Sequence, residues 1–197
     1  EDYNQNVSLV FVNDRRPSMQ SYENLRNRIV RELAQAMQER DRMKVFSFND
    51  HVWAPGNYVR GYLNLLAHLD AGEYRQGNKI SLALHQAISE AHRQNTRRAV
   101  VVLLSENPSI NDFQPYGLQE IISFAKVNDV ILHFITFYPD YNDVVQSLAD
   151  LTGGQIFYAQ HSNEVYDLVD DVREQEFSTY LVSYQVPREY AFQTSMG

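Results

Sequence analysis

The sequence predicts a doubly wound α/β domain: a mostly parallel six-stranded sheet with one short antiparallel edge strand and helices on both faces. Two continuous apolar runs, 7–12 and 99–104, suit strands buried on both faces of a parallel sheet. Around them, segments with apolar residues every three or four positions alternate with further short strand-like runs. Short loops join these segments, which implies right-handed crossovers from strand to helix to strand.

In chain order, Leu25, Ile29, Leu33, Ala36 and Met37 mark an amphipathic helix over 19–39. Lys44 to Phe48 reads as the second strand. Asn49-Asp50 then gives a two-residue turn into a short antiparallel strand, His51 to Ala54, which ends at Pro55-Gly56-Asn57. Tyr62, Leu65, Leu66 and Leu69 place a helix between Tyr58 and Leu69, and Ile80 to Ala91 another over about 79–94. The strongest strand, Ala99 to Leu104, follows. Leu118 to Ala125 is helical, 130–135 is a strand, and Val144 to Leu151 is a helix stopped by Gly153-Gly154. Gln155 to Ala159 is the last sheet strand, and Val165 to Val172 the last helix. Residues 1–176 thus make one domain. The 177–197 extension alternates at period two from Thr179 to Val186, as an added edge strand does.

Composition narrows the function classes. A net charge of −8 argues against a nucleic-acid partner, which requires a basic surface. The absence of cysteine removes disulfides, thiolate metal sites and thiol nucleophiles. No apolar run approaches the roughly 18 residues of a membrane span. The polar start Glu1 to Asn6, without an initiating Met, suits a processed or trimmed N-terminus. H-E-x-x-H, G-x-S-x-G, P-loop and G-x-G-x-x-G signatures are missing. His133 falls inside a strand, where a hydrogen-bonded core imidazole is expected. Loop aromatics such as Tyr58, Tyr74, Tyr116, Tyr138 and Tyr141 are the kind that anchor protein partners.

The chemistry gathers at one sheet edge. The first strand ends in Asn13-Asp14-Arg15-Arg16-Pro17-Ser18, and the helix opens at Met19, so Asp14 and Ser18 stand at a strand-to-helix handover. Taken singly, Asp14 at a helix start suits a dipole partner, and Ser18 suits an N-cap. Ser105-Glu106-Asn107-Pro108-Ser109 follows the central strand, and Gly77-Asn78-Lys79 precedes the third helix. Strand, D-x-S-x-S, Met and a long helix open a von Willebrand factor A domain. Over roughly residues 6–175 this chain resembles that family, with Leu148-Ala149-Asp150-Leu151-Thr152-Gly153-Gly154 matching its late turn.

The resemblance implies a metal-ion-dependent adhesion site holding Mg²⁺ or Ca²⁺ through Asp14, Ser18, Asn78 and Glu106. Arg16 stands where the family has its middle Ser, a departure with two outcomes. Pointing inward, the guanidinium forms a bidentate pair with a carboxylate and replaces the metal; pointing outward, it leaves a weak cation site. The resemblance further implies a non-enzymatic, exported adhesion module, periplasmic, surface-associated or secreted. Its protein ligand would be of the extracellular-matrix or host kind, met by Arg16, Lys79 and Asn107. The alternatives are a hydrolase or protease using Ser18 or a bound cation, and a metal-free interaction scaffold.

Overall fold

The computed structural model describes residues 6–161, 165 and 167–174. Among them, six strands form one sheet in the order β3-β2-β1-β4-β5-β6. They are β1 Val7–Asp14, β2 Arg42–Phe48, β3 Val52–Trp53, β4 Arg97–Leu104, β5 Ile131–Thr136 and β6 Ile156–Tyr158. Every pairing is parallel except that of β2 with β3. The helices are α1 Glu23–Ala36, α2 Tyr62–Leu69, α3 Ile80–His92, α4 Leu118–Val127, α5 Asp143–Thr152 and α6 Leu168–Glu174.

The central stretches of β1 and β4 are apolar because both faces of the sheet are covered. Leu9 and Phe11 of β1 pack with α1, α2 and α6, whereas Val10 and Val12 pack with α3, α4 and α5. β1 pairs with β2 on one side and β4 on the other, so the strand order reverses between β1 and β4. This switch point, at the carboxyl ends of β1 and β4, is where open α/β sheets place their ligand sites.

The doubly wound architecture is the one expected, with local differences. Pro17, with its fixed φ, starts a 3-10 turn over Pro17–Tyr22, and α1 begins only at Glu23. It ends at Ala36, short of 39, because Met37 is extended. The helix expected from Tyr58 begins at Tyr62. Val59 instead pairs with Met43 in an antiparallel bridge, and Gly61, at φ +75°, holds a conformation that breaks the helical run. Three residues, not two, connect Phe48 to its partner Val52. α5 closes at Gly153 in the left-handed conformation, as predicted. The strand expected over 179–186, with the rest of the 177–197 extension, lies outside the described residues.

Candidate functional site

Asp14, the last residue of β1, is completely buried, and five donors converge on its carboxylate. Arg16 supplies three: its backbone N–H and Nε donate to Oδ1, both at 2.9 Å, and Nη2 donates to Oδ2 at 2.8 Å. Ser105, just past β4, supplies two: its N–H at 3.1 Å and its Oγ at 2.6 Å, both to Oδ2. Ser18 Oγ lies 2.7 Å from Ser105 Oγ, so Ser18 joins the centre instead of capping a helix. The guanidinium also reaches the loop after β4, with Nη1 2.8 Å from Glu106 Oε1 and Nη2 donating to the Glu106 carbonyl at 3.2 Å.

Arg16 is therefore in the inward pose, 5% exposed and with its guanidinium 5.6 Å from the Phe48 ring centre. Burial alone would weaken its hold on the proton. The hydrogen bonds and charge of Asp14, aided by Glu106 and Asp112, outweigh that and hold its pKa above the ordinary arginine value. The arrangement is a charge-assisted, bidentate arginine–carboxylate fork with a second carboxylate on its outer side.

Local sequence explains the pose. Arg15 N–H donates to the Phe48 carbonyl at 2.8 Å, which carries β1 one step beyond Asp14. Pro17 turns the chain, Met19 N–H bonds back to the Arg16 carbonyl at 3.0 Å, and the Met19 side chain is wholly buried. The two adjacent arginines diverge. Arg15, 4% exposed, donates to the carbonyls of Leu69, Asp70 and Gly72, and its guanidinium lies 3.7 Å from the Tyr74 ring centre. The Tyr74 hydroxyl donates in turn to Glu23, and Arg26 pairs with Asp70. This network fastens the 70–77 loop to α1.

The other expected residues sit around this centre. Asn78 Oδ1 accepts from Ile80 N–H at 3.3 Å, serving the first turn of α3. Its buried Nδ2 has no hydrogen-bond partner among the described residues, and no hydrogen bond there joins Asn78 to Asp14, Ser18 or Glu106. Gly77 beside it, at φ +114°, is required: a Cβ there would come within 2.7 Å of Asp50 Cα. Lys79 is exposed. Asn107 works within the protein, with Oδ1 accepting from Asn142 N–H at 2.9 Å and Nδ2 donating to the Asp140 carbonyl at 2.8 Å. Sequence reasoning missed Ser105 as a partner of Asp14, although its place one residue past β4 was a usable signal. It also missed the role of Arg15 and Tyr74, which only the folded loop reveals.

In this arrangement the residues do not fit a divalent cation. The lone pairs of Asp14 face five donors, and a fixed positive charge already bridges Asp14 and Glu106. Among the described residues no three His, Asp or Glu side chains are grouped to hold a metal ion. No described histidine hydrogen-bonds to either hydroxyl of the Ser18–Ser105 pair, and the carboxylate that accepts from Ser105 is paired with Arg16.

Fold and site together define a doubly wound α/β domain with its polar centre at the switch point. More particularly, the fold is that of a von Willebrand factor type A domain. BatB from Bacteroides thetaiotaomicron superposes with a TM-score of 0.62 at 13% identity, over 86% of this chain and 100% of that one. A von Willebrand factor type A protein from Catenulispora acidiphila gives 0.65 at 13% identity, over 88% of this chain and 44% of that one. Proximal thread matrix protein 1 from the mussel byssus, with zinc in its MIDAS motif, gives 0.62 at 11% identity, over 87% and 46%. No family model and no curated protein matches the sequence itself.

Proposed function

We propose that this chain is an exported protein-interaction module of the adhesion type. It engages a protein partner, of the extracellular-matrix or host kind, through the loops at the carboxyl edge of the sheet, without needing a divalent ion. The observation that carries this reading is the buried Arg16 fork on Asp14, which sets a permanent cation against two of the four residues, Asp14 and Glu106, that the family resemblance assigns to a metal. The rim around it is open: the Glu106 side chain is 52% exposed, Ile110 57% and Tyr141 44%. An exposed aliphatic and an aromatic residue beside a charged one are the components from which interface anchors are built. That a protein of this fold is a thread matrix protein of the mussel byssus is consonant with a structural role.

The test is binding of the whole chain to immobilised extracellular-matrix proteins, with chelator or with Mg²⁺. Binding should be indifferent to the chelator, and Glu106→Lys or Ile110→Asp should weaken it by at least about tenfold. Val127→Asp, on the exposed side of α4, should leave it unchanged. Loss of binding in chelator, or binding that survives both rim substitutions, rejects the proposal.

A further inference from the structure

At the opposite end of the sheet, where β1, β2 and β4 begin, Asn6, Arg40, Arg42, Arg60, Asn95 and Thr96 line a cleft of about 550 Å³. Each carries a hydrogen-bond donor and none is acidic. In a chain with 25 acidic against 17 basic residues, three guanidiniums around one cleft with no acid among its described lining residues need a physical reason. Among the described residues none of the three has a carboxylate within ion-pair distance. Asp41, between two of them in sequence, is fully committed elsewhere. It accepts from Val7 N–H at 2.7 Å and from Gln38 N–H at 2.6 Å, and pairs with Arg173 at 2.7 Å.

The backbone makes the crowding deliberate. Met43 and Val59 exchange hydrogen bonds of 2.9 and 2.7 Å across their antiparallel bridge, which places Arg42 and Arg60 in facing positions. Like charges directly opposite one another across such a pair repel. Arg42 is also oriented: its Nε donates to Ser8 Oγ at 3.3 Å and its guanidinium lies 5.0 Å from the Tyr58 ring centre. Its two Nη groups have no hydrogen-bond partner among the described residues.

We propose that this cleft binds a multiply charged oxyanion of the phosphate or sulfate type, either free or as an ester on a larger molecule. Guanidinium forks match two oxygens of such a group at once, and a dianion would relieve the Arg42–Arg60 repulsion. The cleft lies at the far end of β1 from Asp14, so it is a second site and does not rest on the proposed function.

The experiment is calorimetric titration and thermal unfolding of the full chain with inorganic phosphate, pyrophosphate and glucose 6-phosphate. Sodium chloride at equal ionic strength separates specific binding from screening. Wild-type protein should bind and be stabilised beyond chloride, with Arg42→Gln and Arg60→Gln each weakening affinity by at least about tenfold. Arg75→Gln, an exposed arginine outside the cleft, should change nothing. Equal affinity for phosphate and its ester marks the free ion as the ligand; a tighter ester marks the bound form. Arg60 is exposed, so Arg60→Gln should keep the fold and, without oxyanion, unfold no earlier than wild type. No stabilisation beyond chloride, or stabilisation that survives both substitutions, overturns the proposal.

Discussion

Arg15 and Arg16 are neighbours in sequence and both are buried, yet they perform unlike tasks. Arg15 holds a loop by its carbonyls, whereas Arg16 answers the charge of a wholly buried carboxylate. Removing one member of a buried ion pair strands the other and destabilises by about 3–5 kcal/mol. Arg16→Ser should therefore lower the unfolding midpoint by on the order of 10 °C in chelator. The substitution also supplies a third hydroxyl beside Ser18 and Ser105 and frees Asp14 and Glu106, an all-oxygen set suited to Mg²⁺ or Mn²⁺. Millimolar Mg²⁺ or Mn²⁺ should then recover much of the loss in Arg16→Ser and leave wild type unmoved. Thermal unfolding with and without each ion decides the matter: an equal response of the two proteins contradicts the replacement of the ion by Arg16.

At the scale of elements, β5 carries a group whose burial is felt in solution. His133 is 2% exposed, accepts from Gln155 N–H at 3.3 Å through Nδ1, and has no described partner at Nε2. Burial pushes its pKa down to about 4, from an ordinary value of 6.5. Between those values the unfolded chain takes up a proton that the folded chain refuses, so stability falls as pH drops from 6.5 toward 4. The shift corresponds to about 3 kcal/mol at full extent. Chemical denaturation at pH 7 and pH 4.5 should show about 2 kcal/mol of that difference, and His133→Gln should flatten it; an unchanged slope would remove His133 as its cause. The strand that holds this histidine was legible, because an apolar run needs no partner to announce itself. The segment before α2 was not: Tyr58 and Val59 fit a helical spacing, and only the bridge to Met43 pulls them into extended backbone. The late start of α1 has the same character, since Pro17 suits a 3-10 turn as well as an α-helix.

Across the whole molecule, topology decides which residues meet. The approach of Asp14 to Glu106 was readable, because adjacent parallel strands end at the same edge. The direction of Arg16 was not, since it depends on Ser105 closing the other side of Asp14. Arg42 and Arg60 became partners only through an isolated bridge that no periodicity records. The two polar ends they define are separated by the length of β1, whose eight residues span roughly 26 Å. Sites that far apart with no shared partner contribute independently, within about 0.5 kcal/mol. Combining Arg16→Ser with Arg60→Gln should thus sum their separate effects on unfolding, while Mg²⁺ acts through one substitution and phosphate through the other. A four-protein cycle of unfolding free energies, run with neither ion, with each and with both, measures this directly. A coupling energy well above that limit would mean that the sheet transmits strain from one end of β1 to the other.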